Sequence, residues 1–193
     1  MLRHIAWFNE APVELKRDGG LTSPHEGVRK RCLAPARELE KLGVECAVFG
    51  NLHDADPSQV SQHLQKLNID IVIVGKMISP SLVKLARTAK HLGCYIVADL
   101  CTEDIANPEL TPHWHHLVEL ADEVVAATEA VAAQIMKETN VTALVIVDAD
   151  EENDVNSKTS DVAIAKQWFE CLKHLKLKPP HCANTNEPLE KKT

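Results

Sequence analysis

The stretch IDIVIVGKMISPSLVKLARTAKHLGCYIVADLCTED, Ile69 to Asp104, decides the fold, because it holds one complete strand–helix–strand unit. Ile69 to Val74 is a nearly continuous apolar run, the pattern of a strand covered on both faces. Gly75 ends it. Ser79 suits an N-cap, Pro80 suits a first helical turn, and Leu82, Leu85, Ala86, Ala89 and Leu92 recur at helical spacing until Gly93. Cys94 to Asp99 is a second buried strand. Two buried strands joined by so short a crossover pair in parallel, with a right-handed connection. Sheets of this kind bind ligands outside the carboxyl ends of their strands, where Asp99, Glu103 and Asp104 stand.

The rest of the chain repeats the unit. His4 to Phe8 reads as the first strand, and Asn9 to Pro24, with Asp18-Gly19-Gly20 and Thr22-Ser23-Pro24, as a long, turn-rich, mobile loop. A helix is predicted from Pro24 or His25 to Leu42, with Val28, Cys32, Leu33, Ala36, Leu39 and Leu42 inward, Gly43 as its stop and a kink at Pro35. Val44 to Phe49 is the next strand, and Asp56 caps a helix from Pro57 to Leu67. Beyond Asp104 the pattern predicts an irregular Ile105 to Leu110, a helix from His113 to Ala121 and a strand from Glu123 to Ala126. A helix capped by Thr128 follows, with Val131, Ala132, Ile135 and Met136 inward, and then a strand from Thr142 to Val147. The expected class is therefore α/β: a single doubly wound, mostly parallel, six-stranded Rossmann-like sheet with helices on both faces. Residues 1–147 form that domain and residues 148–160 an acidic linker. Residues 161–176 form an amphipathic helix that packs Ala163, Ile164, Trp168, Phe169, Leu172 and Leu175 on the domain or a partner, and residues 177–193 a disordered tail.

Composition narrows the function classes. The 193 residues carry 21 Lys and Arg against 28 Asp and Glu, a net charge of -7 that argues against nucleic acid as a partner, and an aromatic content of 4% argues against base stacking. No apolar run is long enough for a membrane span and no signal-peptide core opens the chain, so a cytoplasmic protein is expected. Cys32, Cys46, Cys94, Cys101, Cys171 and Cys182 form no Cys-x-x-Cys pair and read as reduced thiols.

Few residues announce chemistry. The first-strand loop has Gly19-Gly20 but neither Gly-x-Gly-x-x-Gly nor a Walker-type phosphate loop, so no cofactor is expected to bind this chain alone. Arg29, Lys30 and Arg31 stand early in a helix, where they either hold an anion or form a solvated face. Asp99 is either a working carboxylate or a cap for the turn at Thr102-Glu103-Asp104. His113, His115 and His116 could bind a metal with Asp99 or Glu103, but their spacing matches no metal motif and reads better as a solvated helix start.

Two longer stretches carry a resemblance. Ser23 to Gly43, SPHEGVRKRCLAPARELEKLG, resembles the first helix of the N-terminal half of GT-B glycosyltransferases. Tyr95 to Asp104, followed by His115 to Thr128 with Ala121-Asp122-Glu123-Val124, is similar to that family's strand ending in Asp, acidic turn, short helix and following strand. The resemblance covers roughly Ile5 to Val147 and implies a stand-alone acceptor-side half. The family's donor-binding half, with its Gly-rich loop and Glu-x(7)-Glu pair, has no counterpart in the chain. It implies Asp99 as the catalytic carboxylate, with Gly19, Gly20, His25, Arg29, Arg31, Glu103 and Asp104 against substrate. A nucleotide sugar would be the donor in a complex, and the partner a separate donor-binding half or a second copy. The function so implied is sugar transfer shared with that half, or a non-catalytic remnant of it. The competing readings are a Rossmann-like interaction module using a sheet face or the last helix, and a small-ligand domain using the Gly19-Gly20 loop.

Overall fold

Strict alternation along the strands divides the side chains between two cores, one on each face of the sheet. The computed structural model describes residues 4–75, 78–147 and 157–175, and of Glu103, residues 157–161 and His174 only the backbone; residues 148–156 of the expected linker at 148–160, and the tail at 177–193, lie outside the described residues. The elements in order are β1 (His4–Phe8), β2 (Glu14–Leu15), β3 (Leu21–Thr22), α1 (Glu26–Val28), a π-helical turn (Arg29–Leu33), α2 (Ala34–Lys41), β4 (Glu45–Phe49), α3 (Pro57–Lys66) and β5 (Ile71–Gly75). Then come α4 (Pro80–His91), β6 (Tyr95–Leu100), α5 (Thr102–Ala106), α6 (Thr111–Leu120), β7 (Glu123–Ala126), α7 (Glu129–Thr139), β8 (Leu144–Val145) and α8 (Ser157–His174).

Six strands form one sheet in the order β4-β1-β5-β6-β7-β8, and every pair is parallel. This is the Rossmann-like α/β arrangement expected from the sequence, with the strand order of flavodoxin-like sheets extended by one strand. Ala6, Phe8, Val72, Val74, Ile96 and Ala98 face a core shared with α3, α4, α6 and α7. Ile5, Trp7, Ile71, Ile73 and Val97 face the opposite core, closed by Val28, Cys32, Leu33 and Leu39 and by Ile164, Trp168 and Leu172 of α8. The last helix therefore buries its apolar face on its own domain.

The helix stops share one mechanism. Gly43 and Gly93 take φ of 83 and 90, and the next residue's N–H reaches back, Val44 to Leu39 O and Cys94 to Ala89 O, each at 3.1 Å. Asn68, at φ 49, does the same after α3, with Ile69 N–H on Leu64 O at 3.0 Å.

Several expectations are corrected. The first-strand loop is not structureless, because Glu14 pairs with Thr22 and Leu15 with Leu21 in a small antiparallel hairpin. Pro35 produces a π-helical turn upstream of itself. Lacking an N–H and crowding the carbonyl of Arg31, Pro35 is accommodated because the preceding turn is widened, with Ala34 N–H reaching Arg29 O five residues back. Thr102 to Ala106 is a short helix where the irregular segment begins, β8 is only two residues long, and α8 starts at Ser157. Leu42, 53% exposed, and Met136, 40% exposed, lie outside the cores they were expected to join.

Candidate functional site at the carboxyl ends of the strands

The sheet order reverses between β1 and β5, so its binding crevice lies outside the ends of those two strands. On the face closed by α8, β5 and β6 approach closely at their ends: a Cβ on Gly75 would sit 2.8 Å from the carbonyl oxygen of Asp99 and 3.1 Å from its Cβ. Glycine is required there by space.

Asp99 follows Val97 on that face, and the π-helical turn carries Arg31 down to meet it. Arg31 Nε lies 2.9 Å from both carboxylate oxygens of Asp99, Nη2 lies 2.5 Å from Oδ1, and Nη1 donates to Ile146 O at 2.8 Å. The side chains are 1% and 3% exposed. Each charge is thereby compensated by the other, and the fork of the guanidinium ties β6, the π-helical turn and the residue after β8 together. This departs from the expectation that Asp99 and Arg31 line an open cleft: the inward register of the widened turn buries both.

The other expected residues are dispersed. Arg29 donates through Nη1 to Ser23 O at 2.6 Å and Pro24 O at 2.8 Å, which folds the loop onto the helix start. Lys30 pairs with Glu26 one turn back. His25 is exposed at the N-cap position and makes no side-chain capping bond. Gly19 and Gly20 form the exposed tip of the hairpin, where φ of 85 at Gly19 explains a glycine without reference to a ligand. Asp104 is fully buried: Oδ2 accepts from Cys101 N–H at 3.1 Å and Oδ1 from Ile78 N–H at 3.3 Å, so it holds the loop before α4 against the start of α5. The side chain of Glu103 lies outside the described residues. His115 binds Glu138 of α7 at 2.8 Å, and among the described residues no three His, Cys, Asp or Glu side chains converge to hold a metal ion.

The crevice residues themselves escaped the sequence reading. Asn9 and Glu10 follow β1 directly; Asn9 is fully buried, and the Glu10 side chain is 11% exposed. Glu10 Oε1 contacts the hydroxyl of Ser79, the N-cap of α4, and lies 3.7 Å from Nδ1 of His53. Their signal was position alone, two residues past the first strand of a doubly wound sheet. A separate depression lined by Glu40, Gly43, Val44, Glu45 and Cys46 lies at the opposite, amino end of β4, away from this edge.

No protein-family model matches the chain, and no curated protein matches it in sequence. Solved structures match by fold. A structure of MnaA with UDP from S. aureus is similar over 76% of this chain at 18% identity and a TM-score of 0.52. A glycosyltransferase from Rickettsia africae is similar over 76% of the chain at 13% identity and a TM-score of 0.50. The chain covers 43% of each, less than half the length of the structures it matches. At these identities the likeness is one of fold, a Rossmann-like parallel sheet.

Proposed function

We propose that the chain supplies the acceptor-side half of a sugar-transfer cleft and is catalytically incomplete by itself. The observation that carries this reading is the fold likeness, in which the chain covers under half of two longer proteins, one a glycosyltransferase and the other bound to UDP. The donor, a nucleotide sugar, would be held by a separate donor-binding chain, and closing the two halves would bring acceptor and donor together away from water. The buried Arg31–Asp99 pair supports incompleteness: a carboxylate 3% exposed and paired with a guanidinium is out of reach of an acceptor hydroxyl. In this reading Asp99 shapes the carboxyl edge and other residues touch substrate.

The test is to pass the purified full chain over its native extract, identify any captured donor-half protein and assay consumption of UDP-glucose and UDP-N-acetylglucosamine. The chain alone is expected to consume neither, and the reconstituted pair to consume one. A silent pair, or no donor-half protein captured, leaves a non-catalytic binding module as the better description. Of the two side chains in the alternative where α8 recruits a partner, Trp168 is fully buried against Trp7 and Phe169 is partly buried.

A further inference from the structure

The two edges of the sheet differ. β8 at one edge is two residues long, whereas β4 at the other runs five, Glu45 to Phe49, without a lysine, a proline or a bulge. Short or charged edges resist pairing, and a regular five-residue edge invites it. Among the described residues no strand pairs with the outer side of β4. Asn9 N–H reaches Phe49 O at 3.1 Å, so the backbone groups of Phe49, and by alternation those of Ala47 and Glu45, face β1. Those of Cys46 and Val48 therefore face outward. The side chains from Cys46 to Phe49 are half-buried, where Ile5 to Phe8 beside them are fully buried.

We infer that β4 pairs antiparallel with β4 of a second copy of the chain, across a twofold axis at Ala47, and joins two sheets into one. This register matches all five residues of the strand. Cys46 falls opposite Val48 of the second copy, so their outward N–H and C=O groups bond each other, and the axis repeats the exchange. The flanking side chains match as well. On the α3 face, Glu45, whose side chain is 66% exposed, falls opposite Phe49 of the second copy, whose ring lies 6.4 Å from the exposed imidazole of His63. A carboxylate thus meets a group able to carry positive charge. On the α2 face, Val44 falls opposite Gly50 of the second copy. Beside Val44 lies the depression lined by Glu40, Gly43, Val44, Glu45 and Cys46, about 510 Å³ in volume. Val13 packs over Gly50 so closely that a Cβ there would stand 2.6 Å from it, and Leu15 beyond is 73% exposed. The twofold therefore brings an apolar projection of each copy to the depression of the other. A foreign strand satisfies the backbone groups alone; a second copy supplies the whole complement at both ends by symmetry. The inference is independent of the sugar-transfer reading.

The test is sedimentation of the full chain over a wide range of concentration. A reversible species of twice the 21.3 kDa chain mass is expected, with the amides of Cys46 and Val48 exchanging more slowly as the chain is concentrated. Val48→Lys is expected to weaken the dimer about tenfold, because the substitution acts twice across the axis. The register is read by cross-linking under copper-catalysed air oxidation. Ala47→Cys places two thiols on Cα atoms about 4.5 Å apart, a narrow pair that a disulfide can span, and is expected to close an intermolecular bridge. Glu45→Cys, which faces Phe49 and not its own copy, is expected to stay open. A chain that sediments as a monomer at every concentration, leaving the edge to a foreign strand, would overturn the inference. So would a dimer as tight in Val48→Lys as in the unaltered chain, or bridging at position 45 as fast as at 47. If Val48→Lys fails to fold, the two cysteine variants decide alone.

Discussion

At the scale of single residues, the most consequential contact is the buried pair of Arg31 and Asp99. Breaking one side leaves an uncompensated charge, so Arg31→Met should destabilise the fold by about 3–5 kcal/mol, measured by urea unfolding. Adding Asp99→Leu to Arg31→Met should recover much of that loss, because two apolar groups leave no charge to solvate; a double variant as unstable as the sum of the singles would contradict the coupling. Gly75→Ala should cost about 1–3 kcal/mol, since its methyl would meet a strand carbonyl that cannot move aside. Burial pushes the thiols of Cys46 up to about 12, Cys94 to about 11 and Cys171 to about 12, with Glu40, Asp70 and Glu123 adding to the respective shifts. The folded pKa values exceed the unfolded value of 9.0, so the protonated thiol is the form that folding favours. That contribution is complete below pH 9 and fades as pH climbs toward 11 to 12. Iodoacetamide at pH 8 should therefore label these three cysteines far more slowly in the folded chain than in urea. Asp99 was visible in the sequence as a carboxylate at a strand end. Its partner was not, because Arg31 is 68 positions away and points inward only through a widened helical turn.

Elements were legible where one periodicity dominated and illegible where two local rules competed. The runs at Ile71–Gly75 and Tyr95–Leu100 and the helix at Pro80–His91 follow from apolar spacing, an N-cap and a glycine stop, and they lie within two residues of expectation. The helix after His25 could be anticipated, but not its π-helical turn, since a proline signals strain without saying how the turn upstream absorbs it. Whether α8 covered its own sheet or a partner was undecidable from amphipathicity, because either surface satisfies the same stripe. Its place on the domain makes a prediction at this scale: Trp168→Ala, which empties the contact with Trp7, should cost about 3–5 kcal/mol and speed amide exchange throughout α8. Full stability with fast exchange confined to α8 would mean that the helix is an appendage to the core.

At the scale of the whole molecule, parallel order and two cores follow from buried strands joined by helices, and this much is legible in the sequence. The sheet's turning point was not, because strand order depends on which side of β1 each crossover lands. That is why Glu10 and Asn9 went unnoticed while Asp99 was singled out. Among the described residues no helix is long and apolar enough to cross a membrane. What the molecule presents is a carboxyl edge that carries Asn9 and Glu10, a buried ion pair behind it, and a fold shared with under half of longer proteins. The most direct measurement is the consumption of UDP-glucose and UDP-N-acetylglucosamine by the full chain, first alone and then with its captured donor-binding partner. The account predicts no turnover alone and turnover of one donor by the pair; turnover by the chain alone, or a pair that consumes neither, would contradict it.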